Sequence, residues 1–520
     1  MGESRSYQSF QPLYGDIHNH CGISYGHGSL ADALANARER LDFVSVTGHA
    51  HWPDMPEPEP RIQPVIDFHL AGFEKLRGGW GDMLRELRET NEEGAFTVFP
   101  AFEVHSCASG DRNILYKDVD RPDEDLAVLL PEDLDHLGRL LRGLRERGID
   151  TLAQPHHIGY KKGTRGIDWD TFDPEFAPVV ELISMHGCSE ESDNTRPFLH
   201  VMGPSDYEGT MHYGLARGHV FGVTGGTDHH SAHPGSYGHG LTGLWAPEHS
   251  REAIWSALYQ RRTWAMTGDR IELRFAIGDT FMGGVSEPGR PRRIAVDVKA
   301  GGAIDYVDVL KNNRLVRRMS AADLTTIEPG GDVVRTKLHL ELGWGPRNAN
   351  FRWEAELGIA DGRILSVEPR FRGRQVVSPL EGDGGAETYH TARVIERTEQ
   401  SVSFTALSQG TPNNFTNTSQ GLCLEVEMPR SASVYAVLNG QRLEWPLEKL
   451  LEGARSGLMN GIESNAWRMN RAPFPAELNY ALEFVDDEDV DEPATYYARV
   501  RQRNDHWAWS SPIFFRSNPT

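Results

Sequence analysis

The sequence is poor in cysteine, in positive charge and in long apolar runs, and each shortage excludes a class of protein. Four cysteines in 520 residues are too few and too widely spaced for a disulfide framework or a Cys-x-x-Cys metal site. Lys and Arg number 53 against 75 Asp and Glu, a net charge of −22, which disfavours a nucleic-acid-binding face or an anionic membrane surface. No apolar run reaches the roughly 18 residues of a membrane-spanning helix.

The N-terminal segment MGESRSYQSFQPLYGD contains no apolar core of signal-peptide length. We therefore expect a soluble, cytoplasmic protein with neither a nucleic-acid nor a membrane partner, and the sequence leaves a homo-oligomer open. At roughly 100–200 residues per domain, the chain is long enough for two to four domains.

Histidine is distributed unevenly, since 19 of the 22 histidines lie in residues 1–249. From Tyr14 to about Thr267, short apolar runs alternate with helical patterns, which predicts an α/β fold with a parallel sheet closed as a barrel. After Asp269, short segments alternate polar and apolar residues between turn formers, as in an antiparallel β-sandwich. We expect one domain over residues 1–268 and an all-β sandwich over residues 269–520, with a helical segment inserted near 446–470.

Tryptophans are scattered through the second half, and they fit either the core of a sandwich or a carbohydrate-binding surface. Examples are Trp344, Trp353, Trp467, Trp507 and Trp509.

Nearly every predicted strand of the first half ends in a histidine or a carboxylate. In a parallel barrel the carboxyl ends of the strands converge on one face. Residues i and i+2 share a strand face, so His18 with His20, and Asp228 with His230, can bind at one site. The strand-end residues are Asp16, His18, His20, His49, His51, Glu103, His105, His156, His157, Glu181, His186, Asp228, His229 and His230.

Mixed imidazole and carboxylate ligands suit Zn, Mn or Fe, and they also accept Mg. A bridging carboxylate such as Glu103 can hold two ions about 3.5–4 Å apart. Such ions lower the pKa of a bound water toward about 7 and neutralise charge on an attacked phosphoryl group. The pattern therefore predicts a metal site.

The motif order Asp-x-His-x-His, a histidine after a Val/Thr-rich strand, Phe-Glu, Pro-His-His and Thr-Asp-His-His is similar to that of the PHP (polymerase and histidinol phosphatase) superfamily. Within it, GDIHNH, ELISMHGCSE, RRTWAMTGDRIELRF and YYARVRQRNDHWAWSSPI resemble a bacterial branch labelled as a domain of unknown function. The resemblance covers about residues 12–285 and 494–514. It implies a distorted (β/α)7 barrel, two or three divalent ions, and hydrolysis, most often of phosphoesters, by a metal-bridging hydroxide.

By position, the resemblance implies three groups of metal ligands. One ion would be held by His18, His20, Glu103 and Asp228. Glu103 would bridge to a second ion that is also bound by His156 or His157. A third ion would be held by His49, His230 and His27. The residues expected to carry catalysis are His18, His20, Glu103, Asp228 and His230.

Two positions depart from the superfamily pattern. Gly48 stands before His49 where an aspartate is usual, so His51 is a candidate replacement. The segment after Glu103 reads Gly110-Asp111-Arg112-Asn113 where a histidine is common, so Asp111 or His105 is a candidate ligand.

Asp16 is predicted either to orient a ligand imidazole through its second nitrogen or to accept hydrogen bonds from nearby backbone. For Glu181 and His186 three roles stay open, namely metal ligand, substrate contact and buried structural pair. Glu181 is assigned with Asp16 to the residues that support the ligands.

The loop Tyr160–Arg165 (YKKGTR) is basic and directly follows the Pro-His-His strand end. It is a candidate for binding a small or medium anionic substrate, although an ordinary solvated loop explains it nearly as well. The candidate substrate contacts are Arg112, Lys117, Tyr160, Lys161, Arg165, His186 and Arg196.

The leading functional prediction is a phosphoesterase. One alternative is hydrolysis of a C–O or C–N bond in a sugar derivative or amide, and another is a non-catalytic metal-binding scaffold. Converging Arg and Lys side chains at the metal face would favour phosphate, whereas a neutral cleft lined by Trp and Tyr would favour a glycoside or amide.

Overall fold

The computed structural model describes residues 9–199, 201–323, 331–374, 388–411, 413 and 416–517. Within them the chain forms seven α-helices and many strands. The helices are α1 Leu30–Arg38, α2 Gln63–Thr90, α3 Leu134–Glu146, α4 Met211–Ala216, α5 Arg251–Tyr259, α6 Leu447–Glu452 and α7 Pro475–Leu478.

Local sequence explains where these helices begin. Ser29 and Asp32 form a reciprocal capping box at the start of α1, and the Asp133 side chain accepts from His136 N at the start of α3, so backbone N–H groups without helical partners are satisfied. The long α2 buries Phe73, Leu76 and Leu87 along one face, as expected of an amphipathic helix on a sheet.

The first half alternates strands with helices. Its strands are β1 Gln11–Asp16, β2 Phe43–Val44, β3 Thr47–His51, β4 Thr97–Val98, β5 Ala101–Val104, β6 Arg112–Tyr116, β7 Thr151–Pro155, β8 Val179–Ser184, β9 Gly187–Cys188, β10 Gly222–Gly225, β11 Leu241–Ala246 and β12 Thr263–Met266.

Parallel pairing joins β1 to β2, β2 to β4, β3 to β5 and β8 to β10. Strand β6, however, is antiparallel to β5 and β7, and β11 is antiparallel to β1. Residues 105–111 are too few for the crossover of a dozen or more residues that a parallel neighbour needs, so the chain turns back as a hairpin. The predicted α/β class is confirmed as a mixed α/β arrangement, but the described residues do not form a regular (β/α)7 barrel.

The second half is rich in β-structure. Its strands are β13 Glu272–Ile277, β14 Thr280–Phe281, β15 Val285–Ser286, β16 Arg292–Lys299, β17 Ile304–Lys311, β18 Arg314–Ser320, β19 Val333–Gly343, β20 Phe351–Ile359, β21 Arg363–Arg370, β22 Arg393–Arg397, β23 Ser401–Ser408, β24 Gln420–Pro429, β25 Ser433–Leu438, β26 Gln441–Pro446, β27 Arg455–Leu458, β28 Ala466–Met469, β29 Asn479–Asp486, β30 Ala494–Gln502, β31 Trp507–Ser510 and β32 Ile513–Phe515.

Two five-stranded antiparallel sheets, β21-β24-β19-β28-β27 and β22-β23-β20-β25-β26, share one apolar core. Leu338 and Leu424 contribute from the first sheet, and Leu357 and Val434 from the second. Alternate residues along each strand point into this core, which is the pattern seen in the sequence. The helical segment predicted near 446–470 is wrong in extent, because helix forms only over Leu447–Glu452 and the rest pairs as the hairpin β27–β28.

One sheet runs across the predicted boundary at residue 268. It orders as β15-β32-β30-β31-β12-β11-β1-β2-β4, so the C-terminal strands pair onto strands of the first half. Of the tryptophans named from the sequence, Trp353, Trp467, Trp507 and Trp509 are buried in cores, and Trp344 is exposed. No helix among the described residues is long and apolar enough to span a membrane.

Candidate metal centre

Two polar segments lie side by side at the end of β1. His20 N donates to His229 O at 2.9 Å, and Asp228 N donates to His18 O at 2.8 Å. These backbone bonds bring the Asp-x-His-x-His motif and the Thr-Asp-His-His motif to one place. Asp228 has a φ of +52°, a left-handed conformation that a non-glycine residue adopts at some cost and that is frequent at functional sites.

Asp16 holds these two segments together. Its carboxylate accepts from His18 N at 3.1 Å, Thr227 N at 3.2 Å and Gly235 N at 2.9 Å, and from the Thr227 hydroxyl at 2.5 Å. Burial raises the pKa of Asp16 to about 6. Among the described residues no imidazole bonds to it, so the prediction that Asp16 orients a ligand imidazole is wrong, because backbone groups take up its oxygens.

Two imidazoles and two carboxylates lie close together next to this segment. The Asp228 Oδ1 atom lies 3.3 Å from His18 Nε2 and 3.1 Å from His20 Nε2. Glu103 Oε2 lies 3.5 Å from His18 Nε2 and 3.4 Å from His20 Nε2. Ligands about 2.1 Å from a tetrahedral ion are about 3.4 Å apart, so these imidazole–carboxylate distances fit a divalent cation held by His18, His20 and Glu103, which form one candidate ligand set, with Asp228 beside it.

Three of the imidazoles have their Nδ1 atoms engaged elsewhere. Glu181 Oε2 lies 2.7 Å from His18 Nδ1, Ser24 Oγ 3.1 Å from His49 Nδ1, and the Asp228 carbonyl 2.8 Å from His230 Nδ1. Each contact leaves Nε2 available, as metal-ligating histidines require.

A second set of ligand atoms comprises His20, His49 and His230. The His20 ring lies 4.0 Å from that of His49 and 4.3 Å from that of His230. Burial, together with the neighbouring His20, lowers the pKa of both His49 and His230 well below the usual value. Neutral imidazole is the form that binds a metal.

The third set comprises Glu103, Asp111, His156 and His157. Glu103 Oε1 lies 3.5 Å from His156 Nε2, and Asp111 Oδ2 lies 3.3 Å from His157 Nε2. The two Glu103 oxygens therefore face different sets. Asp111, the candidate replacement for a histidine of the superfamily pattern, belongs to this set. His156 and His157 both belong to it as well.

Several of these buried atoms have no hydrogen-bond partner among the described residues, and a bound cation would satisfy them. Leaving a buried polar atom unpaired costs about 1–3 kcal/mol. Burial opposes ionisation of Glu103 and Asp228, but His105 beside Glu103 and His18 beside Asp228 hold the pKa of each carboxyl below its usual value. The unpartnered atoms are His18 Nε2, His20 Nδ1 and Nε2, Glu103 Oε2, and His156 Nδ1 and Nε2.

Of the remaining predicted ligands, His105 shares a candidate ligand set with His49 and Glu103 among the described residues. His105 Nδ1 is 3.1 Å from both Glu103 Oε1 and Asp111 Oδ2. His27 belongs to none of the candidate ligand sets among the described residues. The His51 ring bonds to the Pro131 carbonyl at 2.8 Å, so it does not replace the missing aspartate.

Three of the predicted substrate contacts reach the centre. Arg165 Nε donates to Asp111 Oδ2 at 2.6 Å, and its NH2 group lies 3.7 Å from Glu103 Oε1. His186 Nε2 lies 2.9 Å from Asp228 Oδ2. Tyr160 is buried with its ring 5.2 Å from that of His157.

The structure places the other four predicted contacts elsewhere. Arg112 folds back onto the carbonyls of Ser109 and Gly110. Lys117 follows the opposite end of β6 and pairs with Asp150 and Glu252, because β6 runs antiparallel to β5. Lys161 is exposed, and Arg196 donates to the carbonyls of Gly238 and Asp505.

Sequence reasoning missed an aromatic wall of the centre. Tyr25 stacks on His49 at 3.6 Å and its hydroxyl lies 3.3 Å from His105 Nε2. The Trp52 ring lies 5.4 Å from the Arg165 guanidinium. Both residues are in loops without any periodic pattern, so only their position just after His20 and His51 could have pointed to them.

Comparisons with known proteins cover parts of the chain. The model of the family described as Protein of unknown function (DUF3604) matches residues 227–300, in agreement with the predicted resemblance to a branch of that kind. An uncharacterized protein of Chlamydia muridarum is 32% identical over 270 residues, 47% of this chain and 42% of that protein. One of Chlamydia trachomatis is 31% identical over 168 residues, 29% of this chain and 27% of that protein.

Both alignments thus span less than half the length of these relatives. A solved two-domain protein of Bacteroides vulgatus, described as containing a predicted PHP-like metal-dependent phosphoesterase, is 15% identical. That alignment covers 59% of this chain and 80% of the other, with a TM-score of 0.32.

Proposed function

We propose that the chain is a metal-dependent hydrolase that cleaves phosphoesters of a small or medium anionic substrate. The observation that carries this proposal is the spacing of His18, His20, Glu103 and Asp228, in which the Nε2 atom of each histidine lies 3.1–3.5 Å from an oxygen of both carboxylates. The three ligand sets together suit two or three ions, and their mixture of imidazole and carboxylate suits Zn, Mn or Fe, with Mg also accepted.

Bound divalent ions would supply an activated water and charge stabilisation at an attacked phosphorus. The side chains of this protein fix the ligands and the substrate. The Glu181 carboxylate at Nδ1 keeps His18 Nε2 directed at Glu103 and Asp228. Ser24 Oγ contacts Nδ1 of His49 in the same way, which leaves Nε2 of His49 available to a metal. Glu103 joins two ligand sets through its two oxygens.

Arg165 is the substrate anchor in this proposal. Asp111 holds its guanidinium next to Glu103, where it can donate to a substrate oxygen. His186, partly exposed beside Asp228, is the candidate donor of a proton to the leaving oxygen.

We also infer a distorted barrel over residues 1–268, followed by a β-sandwich region over residues 269–520. Strand β7 lies beside β8, and β10 lies beside β11 and β12, which supports closure around the metal centre. The ligands come from the carboxyl ends of successive strands, where barrels of this kind have their active sites.

One observation favours a second candidate, hydrolysis of a C–O or C–N bond. Of the five cationic residues predicted to contact substrate, only Arg165 reaches the centre, and Tyr25 and Trp52 line its edge. An aromatic wall with a single cation also suits a sugar derivative or an amide.

Turnover of p-nitrophenyl phosphate and bis-p-nitrophenyl phosphate by protein reconstituted with Mn or Zn separates these candidates. The same samples should be assayed on p-nitrophenyl glycosides and on aryl amides. Chelator-sensitive phosphoester turnover that Glu103→Gln removes, and that exposed Glu208→Gln retains, is the expected result. Turnover of glycosides or amides alone would favour the second candidate, and none by metal-loaded protein would favour a scaffold.

A further inference from the structure

A cavity of about 580 Å³ lies between the two parts of the chain. One wall is formed by β19 and β28 of the β-rich body, and the other by Tyr237 and residues 301–303 and 503–506. The volume is that of an ordinary small-molecule site. None of the metal-centre ligands lines it.

The walls of this cavity are strongly cationic, although the chain as a whole carries a net charge of −22. Only Glu341 and Asp505 are acidic among the lining residues. The cations are Lys337, Arg370, Arg372, Arg468, Arg471 and Arg503. At this one place six cations face two acids, which is the reverse of the charge balance of the whole chain.

Three of these cations are already neutralised. Arg370 pairs with Asp269 at 3.0 Å and with Glu368 at 2.9 Å. Arg471 pairs with Glu477 at 2.8 Å, and Arg503 reaches the same carboxylate at 3.5 Å. Their positive charge has a structural explanation.

The other three, Lys337, Arg372 and Arg468, form no ion pair with any described residue. Arg372 is the most telling, because its Nε atom is buried without a hydrogen-bond partner among the described residues. A buried nitrogen that donates to no partner is costly. An anion in the cavity would remove that cost, and the Asn417 and Asn470 amides on the same walls offer neutral donors.

We propose that this cavity is a second binding site, which takes a small molecule through a phosphate, sulfate or carboxylate group. Lys337 and Arg468 supply charge from the walls, and Arg372 supplies a planar donor group. The guanidinium of Arg372 also donates to the Tyr237 carbonyl. Through this contact the site is linked to the segment that carries Asp228 and His230. Its binding of an anion does not require a catalytic metal centre.

Calorimetric titration of the metal-depleted full chain with inorganic phosphate, sulfate and acetate tests this proposal. Saturable binding of at least one anion is expected. Binding of phosphate or sulfate would indicate a site for tetrahedral oxyanions, and binding of acetate a site for carboxylates. The double variant Lys337→Gln/Arg468→Gln should weaken that binding about tenfold or more. The charge-retaining pair Lys337→Arg/Arg468→Lys should keep it, as should Arg335→Gln, which removes a cation from β19 outside the cavity.

No saturable binding by the wild-type chain would overturn the proposal, as would equal affinity in the double variant. An equal loss in Arg335→Gln would also overturn it, since that pattern indicates a general charge effect. Amide hydrogen exchange tests the same site without any variant. The bound anion should slow amide hydrogen exchange in β19 and residues 501–506 of the wild-type chain, and unchanged exchange there contradicts the site.

Discussion

Glu181 Oε2 lies 2.7 Å from Nδ1 of His18, although the two residues are 163 positions apart in the chain. Both side chains are buried. A carboxylate at Nδ1 fixes the tautomer and orientation of an imidazole and strengthens its other nitrogen as a ligand. This contact connects the end of β1 to β8 and directs His18 Nε2 at Glu103 and Asp228.

Replacing Glu181 with glutamine should therefore weaken metal binding about 10–100-fold. The amide keeps the size of the side chain but loses the charge that polarises His18. Competition with a chromogenic chelator measures the affinity, and the exposed Glu208→Gln is the matched control. Wild-type affinity in Glu181→Gln would show that Glu181 does not support a ligand.

Gly226→Ala should disturb the same contact from the backbone side. A Cβ at residue 226 would lie 2.7 Å from His18 Cβ and also meet the Glu181 carboxylate, so one of them must move. We expect reduced metal content at nearly unchanged secondary structure. Gly143→Ala in α3, where a Cβ meets nothing within 4 Å, should instead raise the free energy of unfolding by up to about 1 kcal/mol.

Arg165→Lys should reduce kcat/KM on p-nitrophenyl phosphate by about 10–100-fold. Lysine keeps the charge but loses the planar group that Asp111 holds beside Glu103. The loss should be mainly in KM if Arg165 binds the substrate in its ground state. Exposed Lys162→Gln in the same loop should leave both parameters unchanged, and an unaltered KM in Arg165→Lys would remove Arg165 from the substrate site.

The stability of the junction between the two parts should depend on Asp269. Burial opposes its ionisation, but Arg370, 3.0 Å away, holds the pKa of Asp269 well below its usual value. Since the folded pKa lies below the unfolded value of about 3.9, the ionised group stabilises the fold above about pH 4, and that contribution is lost as the pH falls through the folded pKa.

Asp269→Asn should therefore lower the free energy of unfolding by about 3 kcal/mol at pH 7. The difference in the free energy of unfolding between this variant and the wild type should shrink below pH 4. Urea denaturation between pH 3 and pH 7 measures both quantities, with exposed Asp279→Asn as the control. A constant difference at all pH values would show that the charge of Asp269 is not the stabilising feature.

The candidate ligand sets were predictable on the assumption that the strands run parallel, so that their carboxyl ends, where these residues lie, meet. His18, His20, Glu103 and Asp228 do come together, although β1, β5 and β10 belong to three different sheets. The same assumption fails at Lys117, since β6 runs antiparallel and carries it to the far end of the sheet. Strand direction at a short connection depends on loop length, which a pattern of apolar residues does not record.

Contacts between segments that are far apart in the sequence were not predictable. Asp16 and Glu181 are both carboxylates near strand ends, and the sequence does not say that only Glu181 meets an imidazole. Tyr25 stacks on His49 from a loop without periodicity. The pairing of β31 with β12 likewise joins segments more than 200 residues apart, and no local signal specifies such a partner.

The metal content of the purified chain tests the central claim most directly. Elemental analysis of the wild-type protein should find two or three equivalents of divalent metal per chain, with less in Glu103→Gln because two ligand sets share that carboxylate. The Glu208→Gln control should match the wild type. A wild-type chain that holds no stoichiometric metal, even after incubation with Zn and Mn, would contradict the account.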